Sequence, residues 1–153
     1  MPIERCPNLG QILLCDFREG FKEPEMVKRR PVVVVSPPIS WRPGLCTVVA
    51  LSTTPPDPKR PYHCLLVLDP PPPEPWSQKE VWVKADLIMT VGFHRLDLIR
   101  GGRNPHNGKR NYYTKTLSAE QLATVRRGIL SGLGLFPLTK HRWHQDICRC
   151  AAL

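Results

Sequence analysis

Three consecutive cations, Lys28, Arg29 and Arg30, run directly into Pro31 and four valines. β-Branched side chains pack well on a pleated sheet, so the valines at 32–35 predict a strand that is apolar on both faces and therefore central. Pro31 is tolerated at the first position of such a strand, where no ladder donor is required. The cations then lie at the start of a rigid strand, where a charge can be preorganised for an anionic ligand. The alternative is that Lys28 and Arg29 are solvated loop charges that protect an aggregation-prone strand from pairing with another chain.

A second set of reactive side chains lies at the end of the chain, where His141, His144, Cys148 and Cys150 fall within ten residues. Histidine and cysteine are common zinc ligands, but this spacing is not that of a standard zinc site. We therefore predict no metal and no cofactor. Residues 136–153 are interpreted instead as a partly ordered tail that follows a single domain at 1–135.

The composition favours a soluble, intracellular protein with a polyanionic partner. The 153 residues suffice for one domain with a core, and Lys and Arg outnumber Asp and Glu by 22 to 13, for a net charge of +9. This excess favours nucleic acid first, with an acidic protein or a membrane surface second. No apolar run approaches the roughly 20 residues that cross a bilayer, and the N-terminus lacks the apolar segment of a signal peptide. Cys15, Cys46 and Cys64 lie in or beside apolar runs, and we expect them to be free core thiols.

The elements that must position these residues are short strands followed by one helix. Runs of apolar and β-branched residues predict strands at 9–17, 32–35, 45–52, 62–68 and 80–84, with a continuation at 86–91 after a kink. Proline-rich or charged segments at 18–30, 53–61 and 69–76 predict loops, and the basic Gly/Asn segment at 100–111 predicts a mobile loop. Ser118 and Gln121 form a capping box that begins a helix at 118–132.

This succession of elements predicts a mainly β fold. Five or six strands without alternating helices favour a small, antiparallel, strongly bent sheet or a partly open barrel, with the C-terminal helix packed on it. Such a fold does not by itself determine a function.

Four segments, in order along the chain, resemble the MazF/PemK (Kid) family of bacterial toxin–antitoxin endoribonucleases. They are residues 10–12 running into Asp16 and Phe17, Glu25 followed by residues 30–36, residues 48–53, and residues 84–86 leading to Thr90 and Val91. The helix before residues 133–135 also fits the family. Each segment alone is a weak signal, but four in the family order are specific.

The resemblance implies an SH3-like barrel of the CcdB/MazF/Kid type, acting as a homodimer. It implies cleavage of single-stranded RNA without a metal ion, by attack of the ribose 2′-hydroxyl on its own phosphate, and neutralisation by a cognate antitoxin. It implies no membrane partner.

The resemblance also assigns the site. Arg30 matches the family's arginine before proline and would stabilise charge on the phosphate, for which a planar guanidinium is well suited. Glu25 matches an acidic position that could serve as a base or orient Arg30. Ser52 and Thr53 match a hydroxyl that contacts the phosphate, and the choice between them stays open, as does a simple turn role.

Lys84 and Asp86 match an Arg-x-Asp pair to which Kid-like members assign acid and base. Two residues apart on a strand, the side chains share one face, and a surface ion pair is the alternative. The chain departs from the family at two positions: lysine replaces arginine at 84, and Pro24 stands where Kid-like members carry a catalytic histidine. No family role carries over to His63, His94 or His106.

For RNA binding we predict Lys28 and Arg29 on the backbone, with Trp41 and Trp76 stacking on bases from predicted loops. Core or dimer packing is the alternative for both tryptophans, and Trp82 and Tyr62 are further aromatic candidates.

Two other functions fit the same barrel. One is a non-catalytic module that inhibits a DNA topoisomerase, as CcdB relatives do, or holds RNA without cleaving it; Pro24 and Lys84 favour it. The other is a member that has lost activity and kept its interaction surface.

Overall fold

The computed structural model describes residues 2–140. The histidine and cysteine pattern between His141 and Cys150 lies outside the described residues, so the predicted tail is covered only at 136–140. A short 3-10 helix, Phe136–Lys140, occupies that part.

An antiparallel sheet of six strands dominates the fold, in the order β4-β5-β3-β2-β1-β6. The strands are β1 (Ile12–Cys15), β2 (Arg30–Val34), β3 (Leu45–Ser52), β4 (His63–Val67), β5 (Glu80–Gly92) and β6 (Leu96–Asp97). A separate two-stranded ribbon joins β7 (Ile99–Arg103) and β8 (Arg110–Tyr113), and a helix, α1 (Ala119–Gly132), follows it. The predicted fold class, a bent antiparallel sheet with a C-terminal helix, is confirmed.

The valine strand is central, as predicted, with β1 on one side and β3 on the other. Its side chains alternate between two apolar clusters: Val33 packs in one cluster, and Val32 and Val34 pack in the other. All three are fully buried. Because successive residues of a strand point to opposite faces, a run of valines is what a strand between two cores requires.

The sheet bends at β5. Val49 of β3 lies opposite Ile88, whereas the next residue, Ala50, lies opposite Lys84, so residues 85–87 form a bulge. A bulge increases the local twist and redirects the strand, which is the kink that the sequence predicts after residue 84. Within the described residues β4 and β6 are the edges of this sheet, which therefore bends without closing into a barrel.

The helix packs against the bulge. Ser118 accepts a hydrogen bond from the amide of Gln121, whose side chain accepts one from Ser118, so the predicted capping box is confirmed. Val125 and Ile129 are buried in the first cluster. No described helix is long and apolar enough to span a membrane.

The segment at 100–111 differs from the prediction. It forms most of the β7–β8 ribbon instead of a mobile loop. Its strands are short and carry Gly101 and Gly102 instead of alternating apolar residues, so the periodicity that reveals a half-buried strand is missing.

Candidate active site

Arg30 is the first residue of β2, and the sheet register fixes its neighbours. Val32 lies opposite Ala50, and the same register continued by two residues brings Ser52 opposite Arg30. On the other side of β3, Ser52 lies opposite Trp82 of β5. Residues that are directly opposite across antiparallel strands point to the same face. Arg30, Ser52 and Trp82 therefore form one row across three strands.

Lys84 and His63 belong to the adjacent row. Lys84 lies opposite Ala50 on one side and opposite His63 of β4 on the other. Val81 and Val83 of β5 point into the first apolar cluster, so Trp82 and Lys84 point away from it. We call the surface formed by Arg30, Ser52, Trp82, Lys84 and His63 the open face.

Arg30 has the most unusual environment on the open face. Its guanidinium Nε is buried and has no hydrogen-bond partner among the described residues. Within residues 2–140, no carboxylate lies within 4.0 Å of its side chain. Buried donors are nearly always satisfied, so an unsatisfied one needs an explanation. A bound anion would supply it, as the sequence predicts.

Arg29, the preceding residue, is instead held by protein carboxylates. Its NH2 group donates to Asp97 Oδ2 at 2.9 Å, and its Nε lies 3.7 Å from Asp16 Oδ2. A hydrogen bond from Arg18 to Asp16 is the main reason that the Asp16 pKa is lowered to about 2, so this carboxylate stays charged at neutral pH. Lys28 is exposed. The predicted RNA contact suits Lys28 better than Arg29, whose NH2 group is already engaged, although the Nε of Arg29, like that of Arg30, is buried without a hydrogen-bond partner among the described residues.

The two candidate hydroxyls differ in availability. Ser52 is buried, and its Oγ accepts a hydrogen bond from the amide of Thr54 at 3.2 Å. Thr53 is exposed, and no hydrogen bond of its side chain is seen among residues 2–140. Ser52 thus lies beside Arg30, but its hydroxyl is used in the turn with Thr54. The hydroxyl of Thr53 is available to a ligand.

His63, a residue to which the sequence assigns no role, lies beside both Lys84 and Asp86. Nε2 of His63 lies 4.0 Å from Asp86 Oδ1, and His63 is directly opposite Lys84. The side chain of His63 is 9% exposed and that of Asp86 is 37% exposed. No ion pair joins Lys84 to Asp86 among the described residues, so His63 is the residue that neighbours both members of the predicted pair. Only the pairing of β4 with β5, a long-range property, could have revealed it.

A backbone hydrogen bond defines the protonation of His63. Nδ1 accepts from the amide of Arg60 at 3.1 Å, so the neutral ring carries its proton on Nε2, the atom that faces Asp86. Burial, followed by the charge of Lys84, lowers the pKa of His63, and Asp86 opposes the shift. His63 is thus neutral at pH 7 and presents a hydrogen-bond donor to the open face.

Glu25 does not join this group. It is exposed, and its Oε2 accepts a hydrogen bond from the amide of Lys22 at 3.0 Å, which closes a turn of the β1–β2 loop. No ion pair links it to Arg30 within the part of the chain that the structure describes. The structure therefore does not bring Glu25 into contact with Arg30, and its catalytic role stays a prediction.

The three tryptophans among the described residues lie in three different environments. Trp41 is 82% exposed in the β2–β3 loop, so its ring is free to stack. Trp76 is only partly exposed and packs against the first apolar cluster, contrary to the exposure expected of a loop residue. Trp82 lies on the open face with the ammonium of Lys59 5.2 Å from the ring centroid. Its neighbour in the row, Leu65 of β4, is 42% exposed.

Metal ligands do not cluster in the described residues. No group of three or more His, Cys, Asp or Glu side chains between residues 2 and 140 is arranged to hold a metal ion. Cys6, Cys15, Cys46 and Cys64 are free thiols, and burial raises the pKa of Cys15 to about 12 and those of Cys46 and Cys64 to about 11.

Solved structures with this fold include an endoribonuclease and MazF. An endoribonuclease from a mycobacterial species superposes with a TM-score of 0.53 at 21% identity, covering 86% of this chain and 94% of that chain. MazF from Deinococcus radiodurans superposes with a TM-score of 0.55 at 20% identity, covering 86% and 99%. A chain of the MazE–MazF structure from the same organism gives a TM-score of 0.51 at 20% identity, covering 86% and 99%. At these identities the likeness shows the fold.

The family assignment comes from the sequence. No individually curated protein matches the chain. Residues 8–132 match the family described as PemK-like, MazF-like toxin of type II toxin–antitoxin system. The match spans β1 to α1 and includes every residue of the open face. The chain therefore belongs to the PemK-like, MazF-like toxins of type II toxin–antitoxin systems.

Proposed function

We propose that this chain is a toxin-type endoribonuclease that cleaves single-stranded RNA without a metal ion. The observation that carries the proposal is the buried, unpartnered Nε of Arg30 at the start of a rigid central strand, in a side chain that, unlike that of Arg29, has no carboxylate within 4.0 Å among residues 2–140. The fold shared with a structure named an endoribonuclease and the family membership support it. The toxin acts in the cytoplasm as a homodimer, and its cognate antitoxin neutralises it; the MazE–MazF structure with this fold supports an antitoxin partner.

The reaction needs a proton acceptor, a cation and a proton donor. Asp86 takes the proton from the ribose 2′-hydroxyl, whose oxygen attacks the adjacent phosphorus. Arg30 binds the non-bridging phosphate oxygens through its planar fork as negative charge develops. Lys84 donates a proton to the departing 5′-oxygen. The bond from phosphorus to that oxygen breaks, leaving a 2′,3′-cyclic phosphate and a free 5′-hydroxyl.

The register is compatible with these roles. Arg30 and Lys84 lie on β2 and β5, which are separated by β3, so the two strands are about 10 Å apart, and Lys84 is also displaced by one row along the sheet. Two long side chains that start at that separation on one face can meet at a phosphate. Thr53 supplies an exposed hydroxyl for a further phosphate oxygen, and Ser52 holds the turn through Thr54.

The test is cleavage of a long single-stranded RNA in EDTA, with both product ends mapped. We expect cyclic phosphate and 5′-hydroxyl ends. Arg30→Ala should reduce kcat by about 100-fold to 1,000-fold with unchanged stability, the usual effect of removing a donor to a developing oxyanion. Arg127→Ala, which removes the same charge from the exposed part of α1, should cleave normally. Strict dependence on added metal, or an active Arg30→Ala, would refute the proposal.

A second function, binding without cleavage, is favoured by one set of observations. Pro24 and Lys84 replace residues that Kid-like members use, and the Ser52 hydroxyl is already bound to Thr54. The protein would then hold RNA, or inhibit a DNA topoisomerase. RNA binding that yields no product, or inhibition of DNA supercoiling at stoichiometric concentration, would establish it over cleavage.

A further inference from the structure

The β7–β8 ribbon and its flanking residues form the most one-sided charge distribution in the described chain. No acidic residue occurs between Asp97 and Glu120. Five cations lie in that interval: Arg100, Arg103, Lys109, Arg110 and Lys115. The first four are exposed. A solvated face of a protein usually mixes both signs, so a segment with cations alone is suited to a polyanion.

The base of the ribbon is rigid. Ile99 and Tyr113 lie opposite each other at the base, and both are buried in the first apolar cluster. The Tyr113 hydroxyl donates to the carbonyl of Pro70 at 2.8 Å. The ribbon is therefore fixed to the body of the protein and does not need to be ordered by a ligand.

The tip of the ribbon is also ordered, by hydrogen bonds that use no acidic group. The amide of Asn104 donates to the carbonyl of Lys109 at 2.8 Å, and the amide of Gly108 donates to the carbonyl of Asn104 at 2.9 Å. Gly108 adopts φ +67, which glycine reaches without strain. The side-chain oxygens of Asn104 and Asn107 accept from amides of the same turn. A preorganised tip lowers the entropic cost of binding.

Two arginines of the ribbon lie directly opposite each other. Arg103 pairs with Arg110 across the strands. Each donates one hydrogen bond to a ribbon carbonyl at 3.4 Å, Arg103 to Gly108 and Arg110 to Gly101, and neither is paired with a carboxylate within residues 2–140. Like charges opposite each other destabilise a ribbon, and an anion between them reverses that effect. This pair indicates a phosphate.

The next cross-strand pair joins Arg100 to Tyr112. Tyr112 is 48% exposed, in contrast to the buried Tyr113 beside it. An exposed aromatic ring next to an arginine offers stacking to a nucleobase together with charge for its phosphate. An acidic peptide would use the charges and leave the ring unused, so the surface favours nucleic acid.

We propose that the β7–β8 ribbon is a second RNA-binding site, which holds phosphates and a base of a single-stranded substrate away from the scissile bond. The proposal rests on the endoribonuclease function. The ribbon follows β6, which pairs with β1, and β1 pairs with β2, the strand of Arg30. An RNA that is long enough can contact both sites, whereas a short one can occupy only the open face.

Binding is tested first, without cleavage. In the Arg30→Ala background, the affinity for a 20-nucleotide RNA is measured from 50 to 300 mM salt for the parent and for Arg103→Gln/Arg110→Gln. The slope of log K against log salt should fall by about 1.4, the value for two lost phosphate contacts on a single strand. Arg126→Gln/Arg127→Gln removes the same charge from α1 and should change the slope by less than half as much. An equal change in both double variants would overturn the proposal.

Cleavage assays then distinguish the contribution of the ribbon from that of the open face. With Arg30 intact, Arg103→Gln/Arg110→Gln should lower kcat/KM for the 20-nucleotide RNA about tenfold and leave a hexanucleotide that spans the cleavage site unaffected. Tyr112→Ser should weaken binding of the long RNA and keep the salt slope. Equal losses on both substrates would contradict the proposal. The proposal would also be contradicted if the protein bound poly-glutamate through Arg103 and Arg110 and did not bind RNA through them. If the parent cuts no RNA, the endoribonuclease proposal fails. The salt dependence of binding still tests whether the ribbon binds RNA.

Discussion

Arg29 and Arg30 are adjacent in the sequence and differ in their environments. Arg29 donates to Asp97 and lies near Asp16, whereas Arg30 has no carboxylate within 4.0 Å among the described residues. Adjacent side chains at the start of a strand point in opposite directions, which separates the two guanidinium groups. We therefore expect Arg29 to act on stability and Arg30 on catalysis.

Glutamine substitutions test this division. Arg29→Gln should lower the free energy of unfolding by about 1 kcal/mol, because it removes an ion pair that is partly exposed on both sides. It should reduce cleavage only modestly. Arg30→Gln should slow cleavage by about 100-fold or more with little effect on stability. Urea unfolding and initial cleavage rates of the two variants decide the matter. An unstable Arg30→Gln, or an inactive and fully stable Arg29→Gln, would show that the roles are reversed.

His63 makes the stability of the protein depend on pH. Its pKa is lowered from an ordinary value of 6.5 by burial first and by Lys84 second, so the unfolded chain takes up the proton at higher pH than the folded one. The contribution of His63 to stability is complete above pH 6.5 and is lost as the pH falls through its lower folded value.

The variant His63→Gln should remove that pH dependence. Glutamine does not titrate, and its amide can still donate toward Asp86. The free energy of unfolding of the parent, measured by urea from pH 7.5 to 5, should fall more steeply below pH 6.5 than that of His63→Gln. Equal slopes for the two proteins would mean that His63 is not held neutral in the folded state.

At the scale of elements, the contact between α1 and the β5 bulge positions Asp86. A Cβ atom at Gly132 would lie 3.2 Å from Asp86 Cα, and one at Gly128 would lie 3.1 Å from the Tyr62 carbonyl and 3.2 Å from Ala85 Cβ. These neighbours are main chain or a buried methyl group of the sheet, which cannot move aside as a long side chain can. The two glycines thus allow the helix to approach the bulge closely.

Gly128→Ala measures whether helix propensity or packing dominates. In an exposed helix, alanine stabilises by about 1 kcal/mol relative to glycine. Here we expect a net loss of about 1 to 3 kcal/mol, the usual cost of overpacking. Because the helix would move against residues 85–87, cleavage should also slow. Thermal unfolding and cleavage rates provide the measurement. The control is Ala123→Gly, at a half-buried helix position, which makes the reverse exchange and measures the effect of helix propensity on stability. A stabilised Gly128→Ala would show that the contact is looser than the structure indicates.

The elements differ in how well the sequence predicts them. The valines of β2, the kink in β5 and the capping box of α1 are local signals, and all three are confirmed. The β7–β8 ribbon is not predictable in this way, since its strands lack alternation and its glycines indicate a loop. The open face depends on register, which brings Arg30 opposite Ser52 and His63 opposite Lys84 from distant parts of the chain. The cations before the valine strand already indicate Arg30, whereas only the family resemblance indicates Ser52 and Lys84, and it gives no role to His63.

At the scale of the whole molecule, one sheet separates two apolar clusters. Cys15 and Cys46 are buried in the second cluster, and Cys64 packs against the first, beneath α1. The strands β1, β2, β3 and β5 contribute to both clusters, so neither can be exposed without breaking the same strand pairs. We therefore expect residues 1–135 to unfold as one cooperative unit, as the single-domain prediction requires.

Thiol labelling tests that cooperativity. In a Cys148→Ser/Cys150→Ser protein, the exposed Cys6 should react with iodoacetamide at once. Cys46 and Cys64 should be protected, because burial raises both pKa values to about 11 and the reactive thiolate is scarce. Cys64 is only half-buried, so its labelling rate without urea sets its own baseline. In increasing urea below the unfolding transition, mass spectrometry should show the labelling rates of both cysteines rising over the same urea range, because further exposure of either thiol requires global opening. A rise for Cys64 at lower urea than for Cys46 would show instead that β4 and α1 open while the second cluster stays folded, and the chain would then contain two stability units.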